Sequence, residues 1–481
     1  MTPNQYTPEE PISSIATALA PAALGIVRVS GKGCIELVSK VFSRPKALLE
    51  APGNTLVYGW IVDSAEISKS PVVECCEAAY RDHNNKDISK IDEVMLAVYR
   101  APKSFTGEDM VEIFCHGGPA VVTAIQNLML KIGFRQANRG EYTFRAFING
   151  KTDLTKAEAV KEIIDSHTDA SRSHAAGRLA GSLFTEIDDI KKLIIDTLAA
   201  IEVEIEYPED EETIADSFDR EDIETAARRL RALADSWRGE KLYQDGARVV
   251  LAGRTNAGKS SLFNAILKEE RAIVSDIEGT TRDWLESWAS INGIPVRLFD
   301  TAGLRETSDV IEAQGVEISR SLVHDADVVL YLVDSQTGLN DEDRQFIENC
   351  TVPLIIVQTK IDKGTVVEAL ETTVSTVRIS SRTGAGLSDL FKAITAILTA
   401  GIAGLSTERT QAGLGSARQK EAVSAALESV EHALISADDN YTLDAVVQDL
   451  EDALDSLGEV TGDVTPDDVL GSIFANFCVG K

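Results

Sequence analysis

Arg248-Val249-Val250-Leu251-Ala252-Gly253-Arg254-Thr255-Asn256-Ala257-Gly258-Lys259-Ser260 is the stretch that decides the fold. A short apolar run ends in the spacing Gly-x-x-x-x-Gly-Lys-Ser, which reads as a strand, a phosphate-cradling loop and the start of a helix. Such a loop aims backbone N–H groups and a helix N-terminus at an anion. The pattern places Lys259 to reach the β- and γ-phosphates of a nucleotide and Ser260, followed by Ser261, beside Mg2+.

The sequence downstream supplies the rest of one nucleotide site. Asp300-Thr301-Ala302-Gly303 ends an apolar run and reads as a second Mg2+ element plus an amide that senses the γ-phosphate. Gly279-Thr280-Thr281-Arg282-Asp283 lies in a polar loop between the two, as a switch should. Thr359-Lys360-Ile361-Asp362 ends a later run, and a carboxylate there accepts from the two N–H donors of guanine that adenine lacks. That favours GTP over ATP. Ser380-Ser381-Arg382 follows another strand and can donate from its backbone to the base. Two departures stand out. Thr359 occupies a position usually held by Asn. Leu304 follows Gly303 where Ras-type enzymes carry a water-orienting Gln, so another group must serve catalysis.

Outward from this core, 481 residues at about 150 per domain suggest about three domains. RVVLAG (248–253), VRLFDTAG (296–303), VVLYLVD (328–334) and LIIVQTKID (354–362) are near-continuous apolar runs, which suit a parallel sheet covered on both faces. They set a Ras-like GTPase (G) domain at 246–397. Before it, LGIVRVSG (24–31), NTLVYGWIVD (54–63), VMLAVYRAP (94–102) and MVEIFCHGG (110–118) read as strands, with helices near 33–42 and 118–132. Residues 1–150 are therefore expected to form an α+β domain. Helical periodicity runs through 151–245, opening on an expected capping box of Thr155 and Glu158 and a stripe of Val160, Ile163, Ile164 and His167. It resumes in 398–481 at Val423–Leu434 and Leu443–Leu457, with an N-terminal helix signal at Thr465–Asp468. The expectation is a multidomain α/β plus α chain, in which a G domain interrupts a helical one.

Composition narrows the function. Forty-seven Lys and Arg against 77 Asp and Glu leave a formal charge of −30, so a broad nucleic-acid platform is disfavoured. Contacts to nucleic-acid phosphates are then expected from a partner or from a small basic rim, for which Arg135, Arg139, Arg145, Lys151 and Lys156 are candidates. No apolar run reaches the ~20 residues that span a bilayer, and MTPNQYTPEE resembles no signal or transit peptide. Six scattered cysteines without a CxxC pair read as reduced thiols of a cytoplasmic protein. His116 before Gly117-Gly118 reads as a core or turn histidine, not a metal ligand.

Taken together, the chain resembles the MnmE (TrmE) family of tRNA-modification GTPases over nearly its whole length. The likeness rests on LGIVRVSG, SFTGEDMVEIFCHGG (104–118), RGEYTFRAFINGKTDLTKAEAV (139–160), the GTPase motifs and the end Phe477-Cys478-Val479-Gly480-Lys481. It departs at Ala20-Pro21-Ala22-Ala23-Leu24, where the family usually has PPGRGG.

The resemblance implies a K+-stimulated GTPase. K+ would be held by Asn256, the carbonyls of Ser275 and Ile277, and Thr280. Mg2+ would be held by Ser260 and Thr281. The GTP pocket would extend through Asp276, Glu278 and Gly279, and Glu312 would act on water. The resemblance further implies that the N-terminal module binds a 5-formyl- or 5,10-methylene-tetrahydrofolate through Arg28, Glu112, Lys151 and Lys481. Cys478, after Phe474 and Phe477 on a helical stripe and before a mobile end, would be a thiol delivered to that site. The implied assembly is a homodimer that joins a flavoprotein, MnmG (GidA), carrying FAD and using NADH, in a heterotetramer. Together they would add an aminomethyl or carboxymethylaminomethyl group at carbon 5 of the wobble uridine of certain tRNAs. Two alternatives stay open: a GTP-dependent switch in ribosome assembly or signalling without tRNA chemistry, and a folate-dependent aminomethyl-transfer enzyme that uses GTP only for regulation.

Overall fold

Alternation builds the first sheet. In β2 (Ala22–Ser30), Val27 and Val29 are fully buried while Arg28 between them is on the other face. The computed structural model describes residues 10–64, 88–206, 219–269, 285–300, 322–364, 374–401, 412–438, 443–465 and 467–480. The chain divides into two units, Met1–Ala157 with Thr461–Lys481, and Glu158–Val460.

In the first unit, β1 (Ile12–Ile15), β2, β3 (Thr55–Ser64), β4 (Ile88–Tyr99), β5 (Met110–Gly117) and β6 (Arg135–Gln136) form one sheet in the order β3-β4-β5-β2-β1-β6. Only the β1–β6 pair is parallel. Helices Cys34–Ser39 and Pro119–Lys131 bury Ile35, Val38, Val122, Ile125 and Met129 in one core with Val27, Val111 and Ile113. Pro119 opens its helix at the first position, where its missing N–H costs nothing. A second core joins Phe144 of helix Glu141–Ile148 to Leu154, Leu470, Phe474 and Phe477. The Phe144 and Phe474 rings meet edge-to-face at 5.3 Å, worth about 0.5–1.5 kcal/mol beyond burial. The expected 398–481 segment is thus shared between the units: Thr461–Lys481 folds with the N-terminal residues.

In the second unit, β7 (Ala247–Gly253), β8 (Leu285–Ile291), β9 (Ile294–Asp300), β10 (Val328–Asp334), β11 (Leu354–Thr359) and β12 (Thr376–Arg378) give the order β12-β11-β10-β7-β9-β8. All neighbours are parallel except β8 and β9. Val249, Leu251 and Leu330 face one core with Phe263 and Phe391; Val250, Val329 and Tyr331 face the opposite one. That two-sided burial is why these strands lack alternation. Helices before the sheet (Ser182–Glu206, Arg220–Asp245) and after it (Ala417–Asp438, Leu443–Thr461) share a single core that includes Ile190, Leu230, Val430 and Leu450. Helix Arg220–Asp245 passes into β7 through Gly246, whose φ of 69° and contact with the Trp288 ring exclude a side chain.

Several local expectations are corrected. The N-cap of helix Leu154–Asp165 is Asp153, which accepts from Lys156 N at 3.0 Å; Thr155 lies inside the helix and Glu158 pairs with Arg418. His167 falls past the helix end and stacks on Trp288 at 4.0 Å. His116 is not a core residue: its exposed ring bonds Asp92 at 2.8 Å. Arg145 is no rim residue either, being fully buried against Glu108 and Glu141. Among the described residues no helix is long and apolar enough to cross a membrane, and no group of three or more His, Cys, Asp or Glu side chains is placed to hold a metal ion.

Candidate functional site

The carboxyl ends of the parallel strands carry the first site, as open α/β sheets dictate. Gly253 ends β7 with φ 131°, and a Cβ there would meet Leu332 O at 2.5 Å. The loop then passes through left-handed Asn256 (φ 66°) and Gly258 (φ 101°) before helix Lys259–Glu269 begins. Lys259 Nζ is folded into the loop, donating to Gly253 O and Arg254 O at 2.8 Å each. Ser260 Oγ donates to Asp300 Oδ2 at 2.9 Å. Two hard oxygens at that separation fit adjacent positions of an octahedron with ~2.0–2.1 Å bonds, the geometry Mg2+ demands. Ser261, next along, is exposed.

The Thr359–Asp362 segment, expected to read the base, is bolted to the same loop. Thr359 Oγ1 lies 2.7 Å from Ala257 O and 3.3 Å from Val333 O. Lys360, left-handed at φ 62°, donates from Nζ to Asn256 O and Asp334 Oδ2, both at 2.7 Å. Ile361 N donates to Ile379 O at 3.3 Å, tying the motif to the segment that carries Ser380. Asp362 accepts from buried Ser380 Oγ at 2.8 Å, and exposed Arg382 stands 4.0 Å from its other oxygen. Ser381 is half-buried between them. Asp334 was not foreseen as part of this site. Partial burial alone would raise its carboxyl, but the Lys360 hydrogen bond, the Gln336 amide and the nearby lysine charges hold it below the usual carboxylate range. The signal was present in the run VVLYLVD, whose last residue is a carboxylate at a strand end.

The first unit assembles another group of the singled-out residues. Arg28 and Glu112 stand opposite each other on β2 and β5. The Arg28 Nε and Nη2 donate to Glu112 Oε1 at 2.9 and 2.7 Å, and Nη1 donates to Gly480 O at 2.9 Å. The guanidinium lies over the Phe105 and Tyr142 rings, 5.7 and 5.6 Å from their centres. Tyr99 OH reaches the second Glu112 oxygen at 3.3 Å, and burial, with Glu112 beside it, pushes that phenol up. Lys151 Nζ donates to Pro102 O at 3.0 Å, so the segment between Tyr99 and Glu112 touches both cations. The tail is less free than expected. Gly480 is buried with φ 98°, Val479 bridges Arg139, and a Cβ on Gly480 would meet Ile15 O at 2.7 Å. Cys478 itself is exposed.

Comparison with known proteins decides the family. A model described as the MnmE helical domain matches residues 154–478, and one described as the GTP-binding protein TrmE N-terminus matches 11–151. The chain is 49% identical to the tRNA modification GTPase MnmE of Treponema denticola over 490 residues, 99% of each chain. The chain belongs to the MnmE family. It is also 41% identical to the MnmE of Treponema pallidum, covering 100% of both chains, and 40% identical to that of Carboxydothermus hydrogenoformans, covering 98% of this chain and 100% of the relative.

Within this MnmE framework the expected residues fall into three sets. Asn256, Ala257, Gly258, Lys259, Ser260, Asp300, Thr359, Lys360, Asp362 and Ser380 converge at the carboxyl end of one sheet. Arg28 and Glu112 converge with Gly480, while Lys151 is held to Pro102 on the adjoining segment. Ser275, Asp276, Ile277, Glu278, Gly279, Thr280, Thr281, Thr301, Ala302, Gly303, Leu304, Glu312 and Lys481 lie outside the described residues. Tyr99, Phe105 and Tyr142 were missed because nothing in their spacing ties them to Arg28.

Proposed function

We propose that the chain is a GTP hydrolase that acts in tRNA modification, modifying carbon 5 of the wobble uridine in the cytoplasm. The observation that carries this reading is the latch between base motif and phosphate loop: Thr359 to Ala257 O and Lys360 to Asn256 O. It ties the segment that carries Asp362 to the loop that carries Lys259 and Ser260, which supports one guanine nucleotide bridging the two. Asp362 accepts from the guanine N–H pair, Lys259 and the loop amides take the phosphates, and Ser260 with Asp300 holds Mg2+. Thr281 is proposed as a further Mg2+ ligand.

With Leu304 in place of a water-orienting Gln, hydrolysis calls for added positive charge and a water-directing group. We assign the charge to K+ at Asn256, Ser275, Ile277 and Thr280, and the water-directing role to Glu312. Asn256 is exposed at a left-handed position, which suits an amide oxygen offered to an ion.

The paired Arg28 and Glu112, ringed by aromatic side chains, suit a flat heterocycle with a hydrogen-bonding edge. Tetrahydrofolate carrying a one-carbon unit is the proposed occupant, with Lys151 and Lys481 toward its acidic tail and Cys478 as the adjacent thiol. The proposed assembly is a homodimer with a flavoprotein of the MnmG type, which supplies FAD and uses NADH.

Two measurements test the reading. GTP should be hydrolysed at least 100-fold more efficiently than ATP, and faster in K+ than in Na+; equal use of both nucleotides rejects the site assignment. Mass analysis of tRNA from a strain lacking the gene should show unmodified wobble uridines. Unchanged uridines would favour the alternative of a GTP-dependent switch.

A further inference from the structure

Besides the Thr359 latch, two ties from the phosphate loop reach one and the same turn, at the carboxyl end of β10. Arg254, the second residue of the loop, sends its side chain to the 337–343 segment. Its Nη2 donates to Gly338 O at 2.7 Å and lies 3.3 Å from Thr337 Oγ1. Its Nε lies 3.2 Å from Asp343 Oδ2. Asp343 is itself fixed: it is buried, its Oδ1 accepts from Tyr331 OH at 2.6 Å and its Oδ2 from Asn340 N at 2.9 Å. Two residues further along the loop, Asn256 O accepts from Lys360 Nζ, and that ammonium also binds Asp334 Oδ2. Asp334 O in turn accepts from Thr337 N and Gly338 N at 3.1 and 3.0 Å. The contacts close a ring: Arg254, Gly338, Asp334, Lys360, Asn256. Glycine at 338 has φ 65°, which lets the chain turn back toward Arg254.

We propose that the Asp334–Gly338 turn is a brace that sets the phosphate loop against the base motif, with Arg254 and Asp334 as its two positioning residues. Neither is assigned contact with nucleotide. Arg254 holds the loop entry and Asp334 holds Lys360, so releasing either end lets the loop amides and the Asp362 carboxylate drift out of register for one ligand. A ring fails when opened anywhere, so the two residues act as a unit. The inference rests on the reading of this edge as the guanine-nucleotide site.

The test uses the full-length protein and a fluorescent GDP analogue. Arg254→Gln and Asp334→Asn should each weaken binding about ten-fold, the scale of one charge-assisted hydrogen bond. The double variant should also lose about ten-fold, not a hundred-fold. KM for GTP should rise while kcat stays within about two-fold, and Arg254→Lys, which keeps charge but not the fork, should recover part of the loss. Multiplicative losses in the double variant, single variants that bind like the parent, or losses that follow the melting temperature instead of KM would overturn the brace. A parent protein that binds no GDP would overturn the underlying site reading instead. If Asp334→Asn does not fold, the split of KM from kcat in Arg254→Gln, with its recovery in Arg254→Lys, decides alone.

Discussion

Thr359 Oγ1 sits 2.7 Å from the carbonyl of Ala257, a buried contact that spans 102 residues of sequence and joins the base motif to the phosphate loop. An Asn in its place would bring two donors. A hydroxyl has one proton, and the distances favour Ala257 O over Val333 O as its acceptor.

Replacing Thr359 with Val keeps the shape and removes the donor. The buried Ala257 carbonyl loses its hydroxyl donor, at a cost of about 1–3 kcal/mol. Urea denaturation should show that loss, and GDP affinity should fall by about ten-fold. Unchanged affinity would mean the latch does not position the loop.

Asp362→Asn exchanges an acceptor for a group that also presents N–H. Guanine then meets a donor where it offers donors, while xanthine, with a carbonyl at that edge, meets a partner. GTP hydrolysis efficiency should fall by at least 100-fold and xanthosine triphosphate should become the better substrate. Retained GTP preference in competition assays counts against Asp362 as the base reader.

Acid should loosen the first unit through Glu141. This fully buried carboxylate accepts from Arg135 at 2.5 Å, Arg145 at 3.0 Å and Asn138 N at 2.8 Å. Burial alone would raise its carboxyl, but these partners hold it below the ordinary value of 4.5. A lowered folded value means the stabilisation is complete above that ordinary value and is lost as pH falls through the folded one. Urea denaturation between pH 3 and 7 should show stability declining below about pH 4.5. Glu141→Gln should lower stability at pH 7 and flatten the acid limb; an equally steep limb would place the proton uptake elsewhere.

Cys478 is exposed while the Phe477 before it is buried. Serine is therefore expected to fold without penalty. Cys478→Ser should keep the parental melting temperature and GTPase rate but lose tRNA modification, read by mass analysis of wobble uridines. Full modification would remove the thiol from the chemistry.

Much of the fold was legible because burial on two faces leaves a strong mark. The runs ending at Gly253, Asp300, Asp334 and Thr359 were nearly continuous in apolar residues, broken only by Arg248, Arg297 and Gln358. β1 was not legible: half of Ile12–Ile15 is serine, which looks like a turn until Ser13 finds Gln126 and Ser14 finds Tyr142, both more than a hundred residues away. Glu141 and Arg145 form an i,i+4 pair of the kind usually found in water, and only the tertiary fold buries it. Asp334 and Lys360 meet because strand register sets Asp334 against Thr359, which spacing alone does not reveal.

The carbonyl that Arg28 reaches belongs to a residue made 452 positions later. At a ribosomal pace of 5–20 residues per second, that is a wait of roughly 20–90 s. During it, the patch around Phe144 lacks Leu470, Phe474 and Phe477 and a guanidinium lacks one acceptor, while the segment that builds the nucleotide site is still being synthesised. The N-terminal unit is therefore finished last, although its residues are made first, and its maturation clock is set by the length of everything inserted within it.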